Sequence, residues 1–172
     1  MTDWKNMPAG RALDRVVAER LGWHLRRVEW TADSTTGRKD WLWILHTPDG
    51  KRTSAGSKDA DEAWIILSNE PWIIPGNTPP TGYVFLPHFS TDLNAAWELL
   101  NDVKPYCRAV LQRVNNGLYH CWLHYSYAHL SLQSLGQEGE PAFAVATAWL
   151  AYRDELDQRE ASDAAMERWR HM

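Results

Sequence analysis

The segment at residues 89–100, FSTDLNAAWELL, is the feature that most constrains the fold. Ser90 or Thr91 can accept hydrogen bonds from the free N–H groups of a first helical turn, and Asp92 adds negative charge at the positive end of the helix dipole. Apolar residues follow at i, i+3, i+4 and i+7 and share one face; they are Leu93, Ala96, Trp97 and Leu100. The segment predicts a helix whose stripe, tryptophan included, packs in a core.

A second segment, at residues 57–67, repeats the pattern Ser-x-Asp-x-x-x-Ala-Trp-x-x-Leu 33 positions earlier. Duplication of an ancestral unit would explain the match, and so would independent convergence on the same capping and packing chemistry. Two copies are too few for a solenoid. Both segments are predicted to be helices.

Turn residues divide the rest of the chain into hairpins and helices. Thr47-Pro48-Asp49-Gly50 suits a hairpin turn, and Asn116-Gly117 favours a two-residue type I′ turn. That turn would pair Val114 with Tyr119 and place Cys107 and Cys121 on different faces, so no disulfide is expected between them. The other expectations are helix 10–21, strand 23–30, loop 31–40, strands 41–46 and 51–55, connector 69–81, extended segment 83–86, strands 108–114 and 118–126, a polar loop beyond them, and a closing helix from 140.

These elements predict an α/β fold of mainly antiparallel sheet packed with helices. The final stretch, residues 157–172, is either a continued helix or a frayed end. In it Ala161, Ala165 and Trp169 recur every four residues. This stripe is a candidate surface for pairing with a second copy of the chain.

Motifs near the beginning, middle and end of the chain point to one family. They are Ala9-Gly10-Arg11-x-Leu13-Asp14-x-x-Val17-Ala18, Gly22-Trp23, Ser90-Thr91-Asp92-x-x-Ala95-Ala96-Trp97, and an Ala-rich helix at 142–150. Together they resemble the phage ABA sandwich domain of bacteriophage and prophage proteins. The chain length suits a single domain, 1–172, whose last residues, 157–172, form a tail helix. The resemblance implies a compact α/β sandwich with a family-like core at 9–23 and 83–156, enlarged by an inserted hairpin-helix unit at 24–82. It implies phage origin but no activity, because the family has no assigned function.

Charge and composition exclude several classes of function. The net charge is −4 and no basic run exceeds two residues, which disfavours broad nucleic-acid binding. No apolar run approaches membrane-spanning length, and the N-terminal residues lack an apolar signal core. The two cysteines form no C-x-x-C pair. We therefore expect a cytoplasmic protein without a membrane partner, a cofactor or a bound metal, and the phage resemblance implies that the cytoplasm is that of a bacterial host.

Histidines at 120, 124 and 129 invite a metal interpretation, but a strand separates residues four positions apart by about 13 Å. One ion cannot bridge that distance. No nucleophile elbow or glycine-rich phosphate loop is present, so no catalytic residue is assigned. A metal-dependent hydrolase that uses His120 and His124 remains the enzymatic alternative to a binding protein.

Aromatic residues near the predicted 41–55 hairpin are the best candidates for a ligand site, since the chain holds eleven tryptophans. Trp41 and Trp43 lie two apart on a strand and share a face, close in sequence to several cations. Flat rings beside cations would suit a nucleotide-like ligand, although the same rings could instead fill a core. The candidate residues are Arg38, Trp41, Trp43, Lys51, Arg52, Trp72, Tyr83 and His88.

The sequence favours a non-enzymatic bacteriophage accessory protein that binds and sequesters a host factor or a nucleotide-like signalling molecule, and so antagonises host defence. The motivation is the phage resemblance, the lack of a catalytic constellation and the surplus of tryptophan. A structural or oligomerising module, using the C-terminal helix, is a further alternative.

Overall fold

The computed structural model describes residues 3–33, 35–66, 86–103, 107–114, 116–127 and 130–170. The chain forms two compact units: unit 1 comprises Met1–Val17 and Pro87–Met172, and unit 2 comprises Ala18–Leu86. Each unit contains a three-stranded antiparallel sheet with helical segments. The prediction of a mixed α/β fold with mainly antiparallel sheet is therefore confirmed.

Unit 2 is a meander of three strands followed by a short helix. Its elements are β1 (His24–Asp33), β2 (Arg38–His46), β3 (Arg52–Ser57) and α2 (Ala60–Ile66). The β2–β3 turn closes with the Gly50 N–H donating to the carbonyl of Thr47 at 3.1 Å. Gly50 has a φ of 82°, a conformation that residues with a Cβ rarely adopt. The predicted hairpin and helix are confirmed, while β1 and β2 extend into residues expected to form a loop.

Unit 1 places a long helix against its sheet. Its elements are β4 (Cys107–Arg113), β5 (Tyr119–Tyr127), β6 (Leu130–Leu135), α3 (Leu93–Glu98) and α4 (Pro141–Arg170). Helix α1 (Arg11–Arg20) confirms the first predicted helix, and its sequence crosses from unit 1 into unit 2. The prediction of a polar loop after residue 126 is wrong, because β6 pairs with β5 through six residue pairs. Ser134 of β6 is buried and Leu135 beside it is 51% exposed, so this strand has one covered and one open face.

The backbone of α4 lies very close to the backbone at the end of β6, in the sheet of unit 1. A Cβ on Gly136, just after β6, would collide with the carbonyl of Ala144 and the amide of Ala148 on α4. Glycine therefore permits this contact. Cys121 and Leu123 of β5 are fully buried, as is Trp149 of α4. One face of the sheet thus belongs to the core.

The register of the β4–β5 hairpin differs from the prediction by one residue. Val114 N–H donates to the carbonyl of Leu118 at 2.8 Å, so three residues rather than two form the loop. Arg113, not Val114, is opposite Tyr119. A shift of one residue changes which side chains share a face.

The same shift corrects the prediction for the cysteines. Cys107 is opposite Tyr125, and Cys121 is opposite Leu111, which places both thiols on one face rather than on different faces. Both are free, as expected. Burial, with a smaller contribution from Cys107, raises the pKa of the Cys121 thiol to about 12. Cys121 is therefore a buried apolar residue and not a nucleophile.

Helix α3 corrects the sequence prediction for its apolar stripe. Trp97 is 49% exposed and Leu93 is 41% exposed, whereas Ala96 and Leu99 are buried. The helix has only six residues and contacts α4. The face that carries the small alanine is turned inward, and the tryptophan beside it is left outside.

The capping of α3 also differs from the prediction. Asp92 is the N-cap, and its carboxylate accepts a hydrogen bond from the backbone N–H of Asn94 at 2.9 Å. Ser90 bonds elsewhere: its hydroxyl accepts from Gly10 N–H at 2.8 Å and donates to Asp14 at 2.8 Å. The cap is therefore the aspartate.

Helix α4 settles the alternatives for the C-terminal stretch in favour of a continued helix. It runs unbroken from Pro141 to Arg170, and residues 157–168 are exposed. Proline at the first helical position lacks only an N–H that has no intrahelical partner there. Within the part of the chain that the structure describes, no helix is both long enough and apolar enough to cross a membrane.

Candidate functional site

Trp41 and Trp43 lie side by side on one face of unit 2, as the alternation of β2 predicts. Their ring centroids are 6.2 Å apart and the ring planes meet at 81°, an edge-to-face contact. Both residues are half-buried, so part of each is accessible. The pair provides an aromatic surface on the sheet.

The cation of this surface comes from β1. Arg27 is paired with Trp43, and Glu29 is paired with Trp41. The guanidinium carbon of Arg27 lies 4.6 Å from the centroid of the Trp41 ring, within the range of a cation–π contact. We call Arg27, Glu29, Trp41 and Trp43 the indole–arginine cluster.

The carboxylate of Glu29 would compete with a ligand anion for the guanidinium of Arg27. Its carboxylate lies 3.1 Å from Arg27 Nη2, and both side chains are about half exposed. An exposed ion pair of this kind contributes only about 0–1 kcal/mol. A ligand anion could therefore displace Glu29 while the indole keeps the guanidinium in place.

The cations predicted from sequence proximity are positioned otherwise. Arg38 lies an odd number of residues from Trp41 and Trp43 on β2, which places it on the opposite face. Lys51 Nζ lies 2.8 Å from Asp49 Oδ2 in the β2–β3 turn. The Lys51 ammonium and the Thr47 hydroxyl lower the pKa of Asp49 to about 2. Arg52 begins β3 opposite His46, and its side chain lies outside the described part of the structure.

The remaining predicted site residues are His88, Trp72 and Tyr83. His88 belongs to unit 1, where its Nε2 lies 2.6 Å from Arg11 Nη2. Trp72 and Tyr83 fall outside the described residues. Sequence reasoning missed Arg27, which is noticeable in the chain only as half of a short basic pair. The register between β1 and β2, which no local pattern reveals, brings it to the rings.

A buried polar network joins two of the family-like motifs within unit 1. Asp14 is fully buried and accepts hydrogen bonds from the Ser90 N–H at 2.7 Å and the Ser90 hydroxyl at 2.8 Å. Arg11 lies 3.6 Å from the other carboxylate oxygen. Burial raises the pKa of Asp14, and the Ser90 and Arg11 contacts oppose that rise. Ser90 is also fully buried, which makes it a structural link rather than an accessible nucleophile.

The histidines of β5 do not assemble a metal site. His120 and His124 share a face with Trp122 between them, because alternate residues of a strand point to one side. The His120 ring meets Trp122 edge-on at 5.7 Å, and its Nε2 lies 3.7 Å from Glu138. Among the residues that the structure describes, no three His, Cys, Asp or Glu side chains are grouped to hold a metal ion.

Among the described residues, the geometry of unit 2 offers an aromatic and cationic surface. Comparison with known proteins adds no assignment: no family model, no curated protein and no solved structure matches the chain. The similarity to the phage ABA sandwich domain remains a prediction, resting on the motif residues alone.

Proposed function

We propose that this chain is a non-enzymatic bacteriophage accessory protein that sequesters a nucleotide-like signalling molecule in the host bacterial cytoplasm and so antagonises host defence. The observation that carries the proposal is the indole–arginine cluster. Base–aromatic stacking contributes about 1–3 kcal/mol per base, and a guanidinium adjacent to the ring supplies a phosphate partner. Of the two partners considered, a host factor and a nucleotide, the cluster favours the nucleotide.

The phage origin rests on the motif residues. Gly10 and Asp14 from the first motif both bond Ser90 from the second, about 80 positions away. The motifs thus make one structural unit, which suits residues that define a fold. They contain no exposed reacting group in the described network, in keeping with a binding protein.

Fluorine NMR of the full chain labelled with 5-fluorotryptophan tests the proposal, because each of the eleven tryptophans gives its own resonance. Trp41→Phe and Trp43→Phe identify two of these resonances. We expect a cyclic dinucleotide or ADP-ribose, added to about 1 mM, to shift both of them. If neither ligand shifts either resonance, the proposal fails.

Charge variants refine that test. Arg27→Gln should weaken binding by about tenfold, since it removes the phosphate partner of the cluster. Glu29→Gln should strengthen binding, since it removes the competing carboxylate. Lys51→Gln is the matched control, because Lys51 is engaged by Asp49. Equal affinity in all three variants would contradict a site at the cluster.

A second candidate function, an oligomerising module, is favoured by the length of α4. Residues 157–168 continue the helix with exposed side chains, including Met166. A helical stretch of this length is marginal in water without packing partners. Light scattering on a chain truncated after Leu156 should give a monomer where the full chain gives a dimer. An unchanged subunit number would exclude this role for the tail.

A further inference from the structure

The sheet of unit 1 has a second face that α4 does not cover. Cross-strand pairing builds two rows on it: Arg108, His124 and Gln133 form one, and Val110, Trp122 and Leu135 form the other. Five of the six residues are exposed, and Trp122 is half-buried. This contrasts with Cys121 and Leu123, which point the other way and are fully buried.

A depression of about 360 Å³ lies on this open face. Small-molecule sites commonly enclose about 300–1,000 Å³, so the depression suits one small ligand. We call it the open-face depression. Its lining residues are Arg108, Val110, Gln112, Trp122, His124 and Gln133.

The lining combines a flat ring with hydrogen-bond donors. Trp122 lies in the central strand, and the edge-on contact from His120 helps to hold its indole in place. Gln112 and Gln133 come from opposite outer strands and can donate or accept hydrogen bonds through their amides. Among the described residues that line the depression, none carries a carboxylate, and Arg108 is permanently charged.

The spacing of the two rows sets where the parts of a ligand would lie. Side chains two positions apart on a strand are separated by about 7 Å. A ring stacked on Trp122 would therefore place an attached anionic group about 7 Å away, beside Arg108 and His124. The arrangement requires a planar heterocycle and one phosphate-like group in the same molecule.

We propose that the open-face depression binds a nucleoside monophosphate, with its base on Trp122 and its phosphate on Arg108. The site is built entirely from unit 1 and shares no residue with the indole–arginine cluster. It therefore stands or falls independently of the function proposed above. The two glutamines would select among bases by the edge that each base presents.

Isothermal titration of the full chain with AMP, adenosine and inorganic phosphate tests this site. We expect AMP to bind more tightly than either of its parts, because only AMP meets both rows. Trp122→Leu and Arg108→Gln should each weaken AMP binding by about tenfold or more. Arg108 is exposed, so its replacement leaves the packing of the core unchanged and should not impair folding.

Matched controls lie in the same unit but outside the depression. Trp97→Leu removes an exposed indole on α3, and Arg113→Gln removes an exposed cation at the end of β4. Both should bind AMP like the wild type. In the fluorotryptophan spectrum AMP should shift the resonance of Trp122, while the resonances of Trp41 and Trp43 report on the other cluster.

Three results would overturn the proposal. One is the absence of AMP binding at about 1 mM. Another is binding that survives unchanged in Trp122→Leu and Arg108→Gln. The third is dimerisation of the chain that Trp122→Leu abolishes, which would assign the open face to a second copy.

Discussion

Helices α2 and α3 begin with the same pattern, and the two regions share part of its structural outcome. Asp59 accepts from the N–H groups of Asp61 and Glu62 at 2.8 and 2.9 Å, and Asp92 accepts from the next-but-one N–H at 2.9 Å. The alanine that follows four positions later is buried in both helices. Both helices therefore begin with an aspartate cap and bury the alanine of the pattern.

The tryptophans that follow these alanines have different surroundings. Trp64 of α2 is 5% exposed, in a helix that contacts β2 and β3. Trp97 of α3 is 49% exposed, in a helix that contacts α4 through a different face. A shared local pattern thus leaves the burial of a large ring undecided, because the neighbouring element determines it.

The serines differ in the range of their contacts. Ser57 accepts from the Asp59 N–H at 3.0 Å and donates to Glu62 at 2.8 Å, all within six residues. Ser90 instead bonds Gly10 and Asp14, about 80 positions away in the chain. The same residue stabilises a local turn in one region and a tertiary contact in the other.

Replacing the tryptophans should give the largest difference in stability loss between the two helices. Trp64→Ala should lower the free energy of unfolding by about 3–5 kcal/mol, because it leaves a cavity under α2. Trp97→Ala should change it by less than about 0.5 kcal/mol, as for other exposed positions. Urea unfolding followed by circular dichroism measures both. Equal losses would mean that the two helices are packed alike.

A smaller difference is expected for the serines. Ser90→Ala removes one of the two hydrogen bonds that Ser90 donates to the buried Asp14 carboxylate and deprives the part-buried Gly10 N–H of its acceptor, so it should cost about 1–3 kcal/mol. Ser57→Ala removes only local hydrogen bonds and should cost about 1 kcal/mol or less. The same unfolding measurement applies, with Thr91→Ala as an exposed control. A larger loss for Ser57 would reverse the assignment of local and tertiary roles.

The caps should show no difference. Asp59→Ala and Asp92→Ala should each cost about 1 kcal/mol, since each carboxylate accepts from free N–H groups in the first turn of its helix. Replacement by Asn should restore most of the loss in both helices, because an amide oxygen also accepts. If only one helix responds, the shared pattern does not carry a shared cap.

The weakest effect is the pH dependence of the Ser90 contact. Burial raises the pKa of Asp14 in the folded state, so the native protein binds more protons than the unfolded chain over the window above the ordinary carboxyl pKa. The stability of the wild type relative to Asp14→Asn should therefore fall as pH rises from about 4 through that window. A relative stability that rises with pH would show that Arg11 and Ser90 outweigh burial.

Much of the fold was predictable where short-range chemistry decides it. Gly50 has a positive φ in the β2–β3 turn, and such a turn depends only on a few neighbouring residues. The hairpin could therefore be predicted from the sequence. The Asn116-Gly117 hairpin was located correctly but misregistered by one residue, since its loop length depends on the whole β4–β5 ladder. Strand β6 was missed because its serines and glutamine are typical of loops until a neighbouring strand pairs with them.

The candidate sites show the same limit. Alternation alone placed Trp41 and Trp43 on one face, but Arg27 reached them through pairing with β1. The open-face depression combines residues of three strands, and only the correct register places Trp122 opposite Val110 rather than opposite Leu111. A ligand site assembled across strands has no signature within any one of them.

By itself, the sequence determined where α2 and α3 begin, the positions of the turns and the mixed helix-and-strand composition, because these depend on groups a few residues apart. Only the tertiary structure decided that Trp64 is covered and Trp97 is not, and that Ser90 bonds Asp14. Burial and register depend on segments far away in the chain, and their free energies appear only when those segments meet.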